Sequence, residues 1–264
     1  MNATEIRSVT EYINSVKKDT MNWIFERNNG RPWFRGQLDA EKPPIPSVFR
    51  RIHNGFEGVF DEFNLTRMFR ERSSVLGLTP NRSEIDKWLF LMQHHGLPTR
   101  LIDWSEGSLI GLFFATFEES TEDRAVWMIH PLELNYYSLG HKEFPNTWTE
   151  NNHAYYNFTA AFGVDKDKQT TLPVSINTTY CDNRMFSQKS CFTIHGSDER
   201  DFENLFATHK LNILGYFRKY IIPKEYAQKI QEELILLGID FSTIYPDLDG
   251  LAKEIKSRYF IKRT

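Results

Sequence analysis

The sequence predicts a mixed α+β fold in a single domain over residues 1–264, and three observations lead to this prediction. Apolar residues at helical spacing and short runs of aromatic and β-branched residues follow one another irregularly along the chain. The chain contains no internal repeat and no low-complexity tract. No stretch has the composition of a linker, so we expect one sheet-containing core with flanking helices.

The N-terminal part of the chain is expected to contain three helices and one strand. Val9, Ile13 and Val16 place apolar side chains on one face of a helix, and Ser83 with Asp86 resembles a capping box. The expected elements are a helix over residues 4–18, a strand at 33–36 after the Asn-Gly turn at 29–30, a proline-rich connector at 42–46, a helix over 56–69 and a helix from 83 to about 95.

Most of the strands are expected in the remaining part of the chain. Pro223 suits the first turn of a helix because it has no N–H to satisfy, and Asp247 can cap a helix that begins at Leu248. The expected elements are a strand at 99–104, a buried helix over about 108–118, a strand at 125–130, loops with short strands over 131–180, strands at 191–195 and 216–222, a helix over 223–237 and a last helix over about 248–260.

Composition argues against several classes of protein. The net charge of −3 provides no global basic field for nucleic acid, although it leaves room for a local patch. The longest apolar run is about ten residues, whereas a membrane span needs ~20. Cys181 and Cys191 are the only cysteines, and no signal peptide is recognisable. We therefore expect a cytoplasmic protein without membrane contact.

The run over residues 93–104 is the most informative part of the chain. It places two histidines, an arginine, an aspartate and a tryptophan within twelve residues, and residues 108–117 that follow are almost wholly apolar. Such polar side chains are costly to bury, and each requires a partner. Polar groups gathered at the boundary of two core elements are typical of a functional site.

Arg35 and one of two adjacent histidines are the first candidate site residues. Arg35 stands between Phe34 and Gly36, where the glycine would let a ligand approach the backbone and the guanidinium could hold a pyrophosphate. A surface ion pair is the alternative. His94 and His95 diverge on a helix, so one can cap its end while the other faces a ligand. We take His95 as the candidate acid or base, with His94 as the open alternative, and no ligand set indicates a metal site.

Four residues of the predicted strand at 99–104 are further candidates. Because side chains alternate along a strand, Thr99 and Asp103 face away from Arg100 and Trp104. Asp103 could pair with Arg35 or Arg100 as a structural ion pair, or it could serve catalysis. Trp104 could stack on a nicotinamide or adenine ring, or it could be a core residue.

A third polar group comes late in the chain, where Arg184, Gln188 and His195 surround apolar Phe186 and Phe192. The Gln188 amide offers a donor and an acceptor but no charge. It can therefore orient a substrate without strongly stabilising a cation.

With these residues identified, the chain resembles the FRG-domain proteins, a bacterial family named for a Phe/Tyr-Arg-Gly motif. The resemblance spans residues 33–251, and its longest motif covers residues 93–104. The matching pieces are Phe34-Arg35-Gly36-Gln37, Gln93-His94-His95-Gly96-Leu97-Pro98-Thr99-Arg100-Leu101, Asp103-Trp104, Leu112-Phe113-Phe114-Ala115, Arg184 with Gln188 and Phe192, Ile222-Pro223 and Tyr245-Pro246-Asp247-Leu248-Asp249-Gly250-Leu251.

The order of these pieces is also similar to that in mono-ADP-ribosyltransferases. That resemblance implies a split-sheet core, with NAD as the substrate. It implies that Arg35 holds the pyrophosphate, that the Thr99 strand braces the nicotinamide ribose and that Trp104 or another ring stacks on nicotinamide. Gly36 and Arg100 complete the expected set of cofactor-binding residues. Gln188 stands where the transferase pattern has a catalytic glutamate. Negative charge for an oxocarbenium-like sugar would then come from one of three carboxylates, those of Asp103, Asp182 and Glu199.

The resemblances lead us to expect a toxin-like effector that transfers ADP-ribose from NAD to a nucleic acid or a protein, in phage defence or beside a neutralising antitoxin. A non-catalytic module that senses a nucleotide or a phage protein through a pocket of Arg35 and Arg100 is the first alternative. A nuclease based on His94, His95 and Asp103 is the second. Basic residues near the C-terminus could touch phosphates or simply be solvated, namely Lys253, Lys256, Arg258, Lys262 and Arg263.

Overall fold

The computed structural model describes residues 3–21, 23, 30–50, 52–53, 56–57, 61–77, 79–146, 153–176 and 183–259. The strands are β1 (Ala3–Glu5), β2 (Trp33–Gln37), β3 (Ile52–His53), β4 (Phe56–Glu57), β5 (Leu101–Ser105), β6 (Arg124–Ile129), β7 (Val174–Ile176), β8 (Ser190–Ile194) and β9 (Phe217–Ile222). The helices are α1 (Val9–Thr20), α2 (Glu62–Ser73), α3 (Ile85–His94), α4 (Ser108–Thr116), α5 (Pro131–Leu139), α6 (His153–Ala161), α7 (Asn183–Ser187), α8 (Phe202–Phe206), α9 (Lys210–Ile213), α10 (Ala227–Leu236), α11 (Phe241–Ile244) and α12 (Leu248–Tyr259).

Seven of the strands form one sheet in the order β1-β9-β6-β2-β5-β8-β7, and β3 pairs with β4 separately. Neighbouring strands of the sheet are antiparallel except β1 and β9, which are parallel. This architecture confirms the predicted mixed α+β class with flanking helices, and the core is a single seven-stranded sheet. None of the described helices has both the length and the apolar character that crossing a membrane requires.

The pairing between β2 and β5 is the weakest point of the sheet. β2 pairs with β6 over its whole length, from Trp33 opposite Ile129 to Gln37 opposite Ala125. Its register with β5 consists of one pair, Phe34 opposite Ser105. The ladder therefore does not extend along β2 beyond Phe34, and a cleft opens between the two strands.

Both faces of the sheet are covered by apolar side chains. Val126 and Met128 of β6 pack on one face with residues of α1, α4 and α10, whereas Trp127 packs on the other with Phe217 and Phe206. This division follows from the alternation of side chains along a strand. A third apolar cluster joins α3 and α6 to β5, β7 and β8.

Two glycines let α4 lie directly on β2. A Cβ atom added at Gly36 would lie 2.2 Å from the main-chain oxygen of Gly111 and 2.4 Å from the main-chain nitrogen of Ala115. A Cβ atom added at Gly111 would lie 2.7 Å from Cβ of Phe34. The space beside the glycine of the aromatic-Arg-Gly motif is therefore occupied by α4 on one side. Phe34 and Gly36 face α4, so the intervening Arg35 points to the opposite side of β2.

Several predicted elements agree with the structure. The predicted strands at 33–36, 125–130, 191–195 and 216–222 correspond to β2, β6, β8 and β9, and the helices predicted over 108–118 and 248–260 correspond to α4 and α12. The connector at 42–46 has no helix or strand. Asp247 caps α12 as predicted, since its Oδ1 accepts a hydrogen bond from the Gly250 N–H at 2.8 Å. Asn29 of the predicted turn lies outside the described residues.

Other boundaries were predicted wrongly, and capping explains most of them. The helix expected over residues 4–18 begins only at Val9, because Ser8 caps α1 and residues 3–5 pair with β9. The helix expected over 56–69 begins at Glu62 behind the cap Asp61. Ser83 does not cap α3, which follows Glu84 without a side-chain cap.

Three further segments of the chain differ from the prediction. The strand predicted at 99–104 covers Leu101–Ser105. Residues 131–180 are predicted to hold loops and short strands; they contain the short strand β7, but also the helices α5 and α6, which the prediction lacks. Pro223 precedes a 3-10 turn, and α10 begins only at Ala227.

Candidate functional site

The cleft between β2 and β5 leads into a cavity of about 570 Å³. Its walls come from β2 and the loop after it, from α3 and β5, from the end of α4, and from α7, β8 and the segment that joins them. Apolar side chains contribute to the lining, among them Phe90, Phe114, Met185 and Phe192. The volume falls within the range of about 300–1,000 Å³ that is usual for small-molecule sites.

Arg35 projects from β2 into this cavity. Its Nη1 donates a hydrogen bond to the main-chain oxygen of Asp103 at 2.7 Å and lies 3.8 Å from the Asp103 Oδ2 atom. Only 20% of the side chain is exposed, and its Nε is buried without a hydrogen bond to any described residue. Burial lowers the pKa of Arg35, Asp103 opposes this shift and the nearby Arg50 adds to it. An arginine still keeps its charge, so β2 carries a partly desolvated cation.

Asp103 is held by a chain of hydrogen bonds that begins at Thr99. The main-chain N–H of Leu101 donates to Oγ1 of Thr99, and that hydroxyl donates to Oε1 of Gln93 at 2.5 Å. The Gln93 Nε2 then donates to Oδ2 of Asp103 at 2.6 Å. Because the Gln93 oxygen can only accept, these contacts define the orientation of its amide. The Asp103 side chain stays 51% exposed, so a fixed carboxylate faces the cavity.

Three further cations line the cavity. Arg50 donates from Nε and Nη2 to the main-chain oxygen of Ile45, and burial lowers its pKa. Lys42 lies 2.9 Å from the Asp39 carboxylate. Arg184 stacks over the ring of Tyr245 at 4.5 Å. The charged residues of the lining, apart from the histidine, are the cations Arg35, Lys42, Arg50 and Arg184 and the anions Asp39, Asp103 and Glu118. Cations therefore exceed anions in this cavity.

Gln188 lies in the segment between α7 and β8 and lines the same cavity. Its main-chain oxygen accepts a hydrogen bond from Oγ of Ser105 at 2.7 Å, which ties this segment to the end of β5. Its side-chain Nε2 lies 3.4 Å from the main-chain oxygen of Ile244. The structure thus brings Arg35, Asp103 and Gln188, three of the predicted site residues, to one cavity.

The structure selects His94 rather than His95 as the histidine of the cavity. His94 is the last residue of α3 and lines the cavity. His95 is the C-terminal cap of α3, and its ring packs against Phe69 with the centroids 6.5 Å apart. His95 is not among the described residues that line the cavity. The choice of His95 as the candidate acid or base is therefore corrected to His94.

Arg100 lies apart from the cavity and holds α2 against β5. Its Nη2 and Nε donate to the Glu62 carboxylate at 2.5 and 2.9 Å, and its Nη1 donates to Oε1 of Gln169. Both members of the Arg100–Glu62 pair are largely buried. The expected pocket shared by Arg35 and Arg100 is therefore wrong, because alternation sends Arg100 to the other side of β5.

Of the other predicted residues, Trp104 and Gly36 border the cavity, whereas Thr99 does not. Trp104 borders the cavity, but its indole ring is in the core, where Nε1 donates to Thr193 and the ring packs on Phe202. The Trp104 ring thus makes core contacts in place of the predicted stacking on nicotinamide or adenine. Thr99 is buried and reaches Asp103 only through Gln93. Gly36 lines the cavity, but α4 packs so close to it that a Cβ atom at this position would not fit.

The last three candidate residues are His195, Glu199 and Asp182. His195 is fully buried beside Phe202, and burial lowers its pKa to about 3. Glu199 is exposed and does not border the cavity formed by the described residues. Asp182 lies outside the described part of the chain. Within that part, no group of three or more His, Cys, Asp and Glu side chains could hold a metal ion.

Sequence reasoning missed Arg50 and the bridging role of Gln93. Gln93 was visible as the first residue of the polar run, but its contacts depend on the end of α3 facing β5. Arg50 follows the proline-rich connector and carries no local signal, since its neighbours in space come from β2 and β5.

The model of the FRG domain family matches residues 30–124 of this chain. The matched segment includes β2, α3, β5 and α4, which build much of the cavity wall. The match supports the FRG-domain resemblance over this part of the chain. No curated protein and no solved structure is similar enough to this chain to count as a match.

Proposed function

We propose that this chain, whose residues 30–124 match the FRG domain, binds NAD in the cavity between β2 and β5 and transfers its ADP-ribose to a macromolecule. The acceptor is a nucleic acid or a protein, and the setting is that of a toxin-like effector in phage defence or with a neutralising antitoxin. The observation that carries the proposal is the placement of Arg35 and Asp103 together in one large cleft.

The cavity offers what a dinucleotide requires. Its volume of about 570 Å³ suits a ligand of this size class, and Phe90, Phe114 and Phe192 supply apolar surface for the rings. The Arg35 guanidinium is partly desolvated and can form charge-assisted hydrogen bonds to a pyrophosphate. The excess of cations over anions in the lining favours a ligand with negative charge.

Asp103 is the residue best placed to assist the transfer step. In that step the bond between C1′ of the ribose and the nicotinamide nitrogen breaks, and its electron pair leaves with nicotinamide. The sugar carbon becomes electron-poor, and a fixed carboxylate close to it stabilises that charge. A nucleophilic oxygen or nitrogen of the acceptor then bonds to C1′ and gives its proton to a base. Gln93 donates to the Asp103 carboxylate, Arg35 holds the main-chain oxygen of the same residue, and the Gln188 amide can orient the substrate.

A binding module without catalysis is the second candidate, and one observation favours it. Gln188 lines the cavity, and an amide carries no charge, whereas the transferase pattern that the sequence resembles has a glutamate at this point of the chain. Such a module would use the same cavity to sense a nucleotide. The alternative of a nuclease loses support, because only one histidine of the described chain, His94, lines the cavity.

The proposal is tested by following label from NAD tagged on its adenine ring. Purified protein is incubated with a bacterial lysate, and the products are separated into protein, RNA and DNA. The variant Asp103→Asn removes the carboxylate charge at equal size, and Asp167→Asn changes an exposed aspartate outside the cavity as a matched control.

The wild type and Asp167→Asn are expected to label one fraction and to release nicotinamide, whereas Asp103→Asn labels none. The identity of the labelled fraction then names the acceptor class. If neither label nor free nicotinamide is found with the wild type, the transferase proposal is overturned in favour of the binding module.

A further inference from the structure

Arg35 and Arg50 lie together between two cavities. Both line the cavity of about 570 Å³, and both also line a smaller one of about 150 Å³ whose wall includes Ser47 and Gly96. Among the described residues that line the smaller cavity, the charged ones are these two arginines and Asp103. Two cations therefore share one carboxylate.

The hydrogen-bonding capacity of these two arginines is only partly used within the described chain. Each guanidinium carries five N–H donors. Arg50 directs Nε and Nη2 to a single acceptor, the main-chain oxygen of Ile45, and Arg35 directs Nη1 to that of Asp103. The Nε of Arg35 is buried without a hydrogen bond to any described residue. This buried donor requires an acceptor, because burying an unpaired polar group is unfavourable.

The electrostatics of Arg35 and Arg50 also indicate that an anion is missing between them. Burial is the main cause that lowers the pKa of each arginine, and Arg50 lowers that of Arg35 further. The carboxylate of Asp103 opposes both shifts. It is half exposed and also accepts a hydrogen bond from Gln93, so its charge is shared with other donors. The place between the arginines is therefore short of negative charge.

We infer that Arg35 and Arg50 together form a subsite for a phosphoryl group, which enters from the large cavity and accepts hydrogen bonds from both guanidinium groups. Phosphate oxygens suit this place because two planar forks can each bind in bidentate fashion, and because a phosphate or pyrophosphate supplies the missing negative charge. The assignment of this group to the pyrophosphate of NAD rests on the proposed function. The phosphoryl chemistry itself does not.

Calorimetric titration with inorganic pyrophosphate, ADP-ribose and nicotinamide riboside tests the inference. The first two ligands carry phosphoryl groups, and the third contains the nicotinamide ribose without them. The variants are Arg50→Gln, which removes the charge, and Arg50→Lys, which keeps the charge without the fork. Arg72→Gln serves as the control, because Arg72 is an exposed arginine of α2 outside both cavities. Circular dichroism verifies that each variant is folded.

The wild type and Arg72→Gln are expected to bind pyrophosphate and ADP-ribose equally. Arg50→Gln should weaken both affinities at least about tenfold, and Arg50→Lys should weaken them by less. If Arg50→Gln does not fold, a loss of affinity in Arg50→Lys carries the test. Nicotinamide riboside should bind the wild type and Arg50→Gln equally. Equal pyrophosphate affinity in the wild type and the folded Arg50 variants would overturn the inference, and so would a wild type that binds neither phosphoryl ligand.

The same experiment separates this inference from the proposed function. Pyrophosphate binding that depends on Arg50, in a protein that transfers no label from NAD, would leave the subsite standing and overturn the transferase. Label transfer from NAD together with unchanged pyrophosphate and ADP-ribose affinity in the folded Arg50 variants would do the reverse.

Discussion

Arg35 donates a hydrogen bond to the main-chain oxygen of Asp103 at 2.7 Å, beyond the one position at which β2 and β5 pair. A side chain of one strand thus joins the backbone of the next where the ladder has ended. This contact keeps the strands together at the mouth of the cavity and sets the guanidinium beside the Asp103 carboxylate, 3.8 Å from Oδ2. The arginine of the aromatic-Arg-Gly motif therefore contributes to the architecture of the cleft as well as to its charge.

The glycine of that motif is predicted to be a packing residue. Replacing Gly36 by Ala would place its Cβ atom 2.2 Å from the Gly111 oxygen, so α4 would have to move away from β2. We expect the free energy of unfolding to fall by about 2 kcal/mol or more, as in overpacked cores. Urea denaturation monitored by circular dichroism measures this change. The control is Gly77→Ala, where the added Cβ atom meets nothing within 4 Å. Equal stability of the two variants would contradict the packing role.

The pair of Arg100 and Glu62 is predicted to support stability and not ligand binding. Replacing Glu62 by Leu leaves the largely buried guanidinium without its main partner, and we expect a loss of about 3 kcal/mol. The double variant with Arg100→Leu should lose less than the sum of the single losses, which denaturant titration of all four proteins measures. Pyrophosphate affinity should stay unchanged in every folded variant. Weaker pyrophosphate binding by a folded Arg100→Leu variant would return Arg100 to the binding site.

Thr99 is predicted to act on Asp103 through Gln93. Replacing Thr99 by Val removes the hydroxyl that donates to Oε1 of Gln93, so the amide is no longer held in the orientation that serves Asp103. We expect the kcat of ADP-ribose transfer to fall about tenfold, which corresponds to roughly 1.4 kcal/mol, with little change in KM. Thr99→Ser keeps the hydroxyl and should restore most of the rate. A Thr99→Val variant with wild-type kcat would exclude this indirect role.

His195 is predicted to make stability depend on pH. Burial lowers its pKa to about 3 in the folded chain, with Arg100 adding to the shift, whereas an unfolded histidine titrates near its usual value of about 6.5. Between these values the unfolded chain binds more protons, so this contribution to stability is fully present above pH ~6.5 and decreases as the pH falls towards the folded pKa.

Urea titrations at pH 5 and pH 6 measure the effect. We expect His195→Asn to reduce the pH dependence by roughly 1 kcal/mol per pH unit. The same slope in the variant and the wild type would show that His195 is not buried in its neutral form.

The sequence predicted the parts of the site that are encoded locally. The polar run near Asp103 follows directly from neighbouring residues, and alternation along β5 separated Thr99 and Asp103 from Arg100. The sequence did not decide which of His94 and His95 lines the cavity, because neighbouring residues at a helix end point to different sides and the last residue of α3 was not known to be His94.

Long-range packing explains what the sequence did not predict. Arg50 reaches the site only because its loop lies against β2 and β5. Residues 3–5 form a strand because β9 offers an edge, although all three residues are exposed and show no alternation of burial. The aromatic residues before Asp61 imitate helical spacing, but the cap at Asp61 sets the start of α2.

Fluorescence anisotropy of an NAD analogue that is fluorescent in its adenine ring shows whether the cleft between β2 and β5 binds NAD. The analogue is titrated with the wild type, with Arg35→Gln and with the exposed-surface control Arg72→Gln. We predict saturable binding to the wild type and the control, and an affinity at least about tenfold weaker for Arg35→Gln. A wild type that does not bind the analogue, or an Arg35→Gln variant that binds it equally well, would contradict the assignment of this cleft to NAD.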